Sequence, residues 1–176
     1  LQERLQLDSK SLKQLVNRLP GVLGLSIEKN LEPKLTWLQE RLQLDSKSLS
    51  KLVKRHPAIL GSSIEENLEP KLTWLGERLA LDDKSLSSVI QRMPSLLSSG
   101  IEKNLEPTIK FYETCVGSNA AIIMILQYPS MLGASLENRL KSRLAEAQEA
   151  GIFIDTGTLT RMAKYTEEKW SNGLAY

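Results

Sequence analysis

Cysteine and histidine occur once each in this 176-residue sequence. The lone thiol, Cys115, can neither pair within the chain nor join a thiolate metal site, as expected of an intracellular protein. Any imidazole-based triad would have to be built on His56 alone. Leu19 and Met93 hold the same place one repeat to either side, so His56 reads as packing or a solvated helix end. No run of about 18 apolar residues is present to span a membrane. Neither sign of charge dominates: 23 basic and 21 acidic residues leave +2, which permits nucleic-acid binding without announcing it. There is no glycine-rich phosphate loop, no metal-ligand spacing and no nucleophile–base pair, and Asp82–Asp83 sits where a helix cap belongs. An enzyme is not expected, and no catalytic residue, metal or cofactor is assigned.

What the chain does have is a period. Pro20, Pro57 and Pro94 recur every 37 residues, as do Pro33, Pro70 and Pro107; residues 1–37 match 38–74 at 29 of 37 positions, and 38–74 match 75–111 at 20 of 37. A period of this length means stacked units that cannot bury their apolar faces alone. The units fall at about 1–37, 38–74, 75–111 and 112–150, with a partial repeat and cap over 151–176, read together as one cooperative domain 1–176. The chain begins at Leu1 inside LQER, the segment that closes a helix in later units, so a longer array is expected, with any targeting peptide outside this sequence.

Within one unit, Asp8 or Ser9 can cap a first helix whose Leu12, Leu15, Val16 and Leu19 form one stripe. Pro20 ends it near Arg18 or Leu19. PGVLG then reads as a 3₁₀ turn tucking Val22 and Leu23 into the core. Ser26 caps a second helix with Ile27, Leu31, Leu35, Leu38 and Leu42 inward. Pro33 either opens the main helix after a preliminary turn or kinks a longer one. Trp37, Trp74 and Phe111 read as packing residues.

The residues Pro57, Ile59 and Leu60, then Ser63, Ile64, Glu65, Asn67, Leu68, Pro70, Leu72, Trp74 and Leu75 carry a pattern that resembles the repeat of the mitochondrial transcription termination factor (mTERF) family. The resemblance covers about residues 1–144 as four units. It implies an all-α, curved helical-repeat solenoid, with two α-helices and a 3₁₀ turn per repeat and a left-handed superhelix. It further implies a mitochondrial or chloroplast protein that binds nucleic acid, chiefly double-stranded DNA, with RNA possible, in transcription or its termination. RNA processing, ribosome assembly and a protein-interaction scaffold are the alternatives.

Charge marks the candidate interface. By unit the net values are +2, +1, 0, −1 and 0. Arg18, Arg55 and Arg92 recur in register before the turn proline, either as a ladder for a phosphate backbone or as cations neutralising helix C-termini. Lys10, Lys47 and Lys84 recur in the first helical turn, where a lysine opposes the helix dipole. Either they help hold a phosphate or duplication copied a neutral lysine. Lys51 and Lys54 make the second unit the most basic, and Lys34 and Lys71 complete the set, although Glu28, Glu32, Glu65 and Glu69 lie close by. Six to eight such cations would give binding that is steeply salt-dependent and largely blind to sequence.

The fourth unit diverges. Its proline spacing contracts to 35, Ser142 replaces the second proline, and Ile122, Ile123 and Leu126 stand where the first unit has Lys13, Gln14 and Asn17. A helix apolar all round must be covered. The C-terminal segment is the expected cover, with a protein partner or second copy as the alternative. Arg139, Lys141 and Arg143 follow on the next helix. Gly151 stops that helix, Asp155 or Thr156 caps another with Leu159 and Met162 inward, and Glu167 stands where the turn proline belongs. The ending reads as a polar cap that packs Trp170 and Tyr176 inward.

Overall fold

The computed structural model describes residues 1–174, and every regular element within them is helical. The chain packs as two compact units, Leu1–Ser98 and a second that begins at Ser99. Tyr176 lies outside the described residues.

In the first unit, α1 (Ser9–Arg18), α3 (Ser46–Arg55) and α5 (Asp83–Arg92) are the first helices of three repeats, and α2 (Glu32–Arg41) and α4 (Glu69–Arg78) are the second helices of two. Each first helix starts where an aspartate leaves the extended region. The Oδ1 atoms of Asp8, Asp45 and Asp82 accept from the amides of Ser11, Ser48 and Ser85 at 2.6, 2.7 and 2.8 Å. Leu19, His56 and Met93 then break the helix before proline, and the 3₁₀ turns Pro20–Gly24, Pro57–Gly61 and Pro94–Ser98 follow.

Pro33 opens the main helix after a preliminary turn. That turn, Ile27–Leu31, is π-helical: the Leu31 amide donates to the Ser26 carbonyl at 3.0 Å, and the wider turn accommodates a proline that has no amide to give. Ile64–Leu68 before Pro70 repeats it.

The second helices end in a left-handed residue. Gln6, Gln43 and Ala80 have φ of 49°, 50° and 51°, and the following amides of Leu7, Leu44 and Leu81 reach back to Gln2, Gln39 and Gly76 at 2.8–2.9 Å. The third and fourth repeats end their second helices in glycine, Gly117 at 82° and Gly151 at 68°. A side chain in this region is strained by about 1 kcal/mol. Ala80→Gly is therefore expected to raise stability by about 0.5–1 kcal/mol, read as a higher urea midpoint with an unchanged slope.

The aspartate caps also set the acid limit. Bonds from Ser11, Ser48, Ser85 and, on the later helix, Thr158 hold the carboxyls of Asp8, Asp45, Asp82 and Asp155 below the ordinary aspartate value. A depressed folded value means that their stabilisation is complete above the unfolded value and is lost as pH falls through the folded one. The melting temperature is expected to hold down to about pH 5 and fall below about pH 4, less so when the four are changed to Asn, which caps without titrating.

Repeat-to-repeat contacts in this unit translate by 37 residues. Arg4 pairs with Glu32 at 2.7 Å, and Arg41 with Glu69 at 3.0 Å. Ser50 and Ser87 are buried and donate to the carbonyls of Leu5 and Leu42. Leu23 and Ile27 are displaced from the expected core: they are 76% and 58% exposed, whereas Leu60 and Leu97 are fully buried. In the later repeats the second helix of the repeat before lies against the turn, as when Lys34 of α2 reaches the Leu60 carbonyl; among the described residues no second helix lies against Pro20–Gly24 in this way.

In the second unit, α6 (Glu106–Val116) meets α7 (Ser118–Gln127) through Gly117 alone, at φ 82°. Helices α8 (Ser142–Glu149), α9 (Thr156–Lys164) and α10 (Glu167–Leu174) follow. Asp155 caps α9, and Leu159 and Met162 are fully buried. Trp170 is 4% exposed and donates to Glu146 Oε2 at 2.7 Å. Helix α9 packs on α7 but does not cover it. Ile122 and Leu126 are half-buried while Ile123 remains 67% exposed, because α9 offers Gly157 and Thr160 on that side and fills little space.

Candidate nucleic-acid interface

Helices α3 and α5 stand side by side and leave a groove of 740 Å³ between them. Four cations line it, Lys51 and Arg55 from α3 and Lys84 and Arg92 from α5, with Ser48, Ser88, Gln91 and Gln43 between them. Among the described residues no acidic and no aromatic side chain lines it. Acids nearby in sequence are engaged: Asp45 and Asp82 accept from the amides of Ser48 and Ser85 as helix caps, and Asp83 holds Arg41 at 3.1 Å. The floor is rigid, since Gln91 Nε2 donates to Ser87 Oγ at 3.1 Å and Ser87 donates to Leu42.

The arginines of the ladder are partly engaged within the protein. Arg18 donates from Nη1 to the Lys54 carbonyl at 3.0 Å and from Nη2 to the Arg55 carbonyl at 3.2 Å, and Arg55 does the same to Gln91 and Arg92 at 2.7 and 3.1 Å. Each guanidinium thus satisfies the helix C-terminus of the next repeat, not of its own. Five N–H donors leave some free for an anion, and both side chains are solvent-exposed.

The lysines divide. Lys51 and Lys84 project into the groove, Lys10 and Lys47 are exposed outside it, and Lys54 is half-buried. Lys34 and Lys71 leave the candidate set. They are 5% and 8% exposed, and their Nζ atoms donate to the Leu60 and Leu97 carbonyls at 2.6 and 2.8 Å. Burial pulls both ammoniums below the ordinary lysine range. Arg143 occupies the same repeat position and is 2% exposed, so it too is structural. His56 Nε2 shares a hydrogen bond with Ser98 Oγ, and burial lowers its pKa, with the Arg18 charge adding to the effect. Gln43 and Ser48 were not singled out by composition, but the left-handed turn places the one and the helix start the other at the groove mouth.

Such a groove can hold a phosphate backbone through charge and hydrogen bonds. Among the described residues, no helix is long and apolar enough to cross a membrane. A family model described as mTERF matches residues 1–171. No curated protein matches the chain.

Proposed function

The chain belongs to the mTERF family, and from that membership and its cationic groove we propose that it is an organellar nucleic-acid-binding protein that engages double-stranded DNA and acts in organelle transcription or its termination. Members of the family are in general organellar regulators that bind nucleic acid and not enzymes. The observation that carries the reading is the convergence of Lys51, Arg55, Lys84 and Arg92 on one groove free of acidic lining.

The choice of duplex rests on the same lining. Single-stranded recognition uses aromatic platforms for unpaired bases, and this groove has none, whereas a duplex needs cations at helical intervals. Adjacent helices lie about 10 Å apart, and a duplex offers phosphates closely enough spaced to meet each step. The test is competition: a random 20-base-pair duplex is expected to bind at low salt and to displace single-stranded RNA of equal length. Preference for the RNA would reverse the assignment.

A further inference from the structure

The groove of the first unit has a counterpart in the second with opposite chemistry. Counting from the turn proline and the helix cap, Lys51, Arg55 and Lys84 correspond to Ile123, Gln127 and Gly157. Those three residues line a hollow of 410 Å³ between α7 and α9, with Met124 and Tyr128 also in its wall and no charged side chain in its lining. Ile123 is 67% exposed at its edge. Charge returns on the α9 side, where Asp155 beside Gly157 is committed to the Thr158 amide at 2.7 Å and Arg161 donates to Thr158 Oγ1 at 2.9 Å. Lys164 follows Thr160 by one turn on the same face, with its Nζ 3.9 Å from the centre of the Tyr128 ring, and Arg161 is exposed beside it.

We propose that this hollow docks an amphipathic, acidic helix of a protein partner. One large apolar side chain fills the space over Met124 and Ile123, and carboxylates of the same helix meet Lys164 and Arg161. The volume suits a single leucine- or phenylalanine-sized anchor with its neighbours, the usual mode of a helix laid into a groove. Charge selects among occupants: a second copy docking by this same face would set Lys164 and Arg161 against their own equivalents, while an acidic helix complements them. This reading is independent of the duplex-binding groove, which lies in the other unit.

The test is selection of a displayed library of helical peptides, randomised at surface positions, against the whole chain. Enrichment is expected for sequences that place Leu, Phe or Trp four residues apart with Asp or Glu flanking them. A synthetic copy of the best sequence is expected to bind Ile123→Asp at least tenfold more weakly and Lys164→Glu roughly fivefold more weakly. Both positions are surface-exposed, and unchanged melting would show that the variants fold. No enrichment, enrichment of basic or neutral flanks, or equal binding to Ile123→Asp would overturn the proposal. So would self-association abolished by Ile123→Asp, which would assign the hollow to a second copy. Loss of single-stranded oligonucleotide binding in that variant would assign it to a base.

Discussion

Replacing Arg143 with Ala is expected to destabilise the second unit by about 3–5 kcal/mol. The side chain is 2% exposed, donates from Nη1 to the carbonyls of Met162 and Tyr165 at 2.7 and 2.9 Å and from Nη2 to Glu167 at 2.7 Å, and lies 5.4 Å from the Trp170 ring centre. Glu167 is 76% exposed, so the ion pair itself contributes little. The loss arises from the carbonyl ends of α9 left without a donor and from the space the guanidinium vacates. Arg143→Lys is expected to recover about half of it, because Lys34 and Lys71 at the same repeat position each hold one carbonyl. Hydrogen exchange of the α9 and α10 amides with the urea midpoint checks this. A midpoint for Arg143→Ala within about 0.5 kcal/mol of the parent chain would show that the cap is held by something else.

The paired change Lys51→Gln and Lys84→Gln is expected to lower duplex affinity on the order of 100-fold at 50 mM salt, since each lost phosphate contact forfeits its counterion release. These two lysines separate binding from stability better than the arginines do. Lys51 and Lys84 hold no carbonyl among the described residues, whereas Arg55→Gln would also remove two bonds between α3 and α5. Melting within about 0.5 kcal/mol of the parent is expected for the lysine pair, as for surface substitutions in general. As a control, Lys34→Met is expected to change stability and leave the salt dependence of binding alone, because its ammonium is turned into the protein.

Element order was legible because the repeat is locally self-consistent. An aspartate, a helical stripe, a proline and a serine cap each act within a few residues, and the 37-residue period multiplied every signal. The partners of long side chains were not legible. Lys34 and Lys51 look alike in sequence, yet one reaches 26 residues ahead to the Leu60 carbonyl and the other projects into the groove. Which of these happens depends on where the next repeat lies, and spacing inside one unit holds no such information. The same is true of Arg18, whose guanidinium closes the helix of the following repeat, and of Leu23, which is exposed although its equivalents Leu60 and Leu97 are buried. The π-helical turn before Pro33 left a local signal, a proline inside a helical pattern, that was compatible with two backbones. The apolar face of α7 was legible as needing cover, but the small residues of α9 that leave Ile123 bare matter only once the two helices are side by side.

The most direct test of the proposed interface is the salt dependence of affinity for a random duplex, measured for the parent chain and for the Lys51→Gln, Lys84→Gln pair. Four groove cations imply a log–log slope of about −3.6, and removal of two should bring it to about −1.8. No measurable duplex binding at 50 mM salt, or a slope that the paired change leaves untouched, would contradict the account and place the phosphate contacts elsewhere.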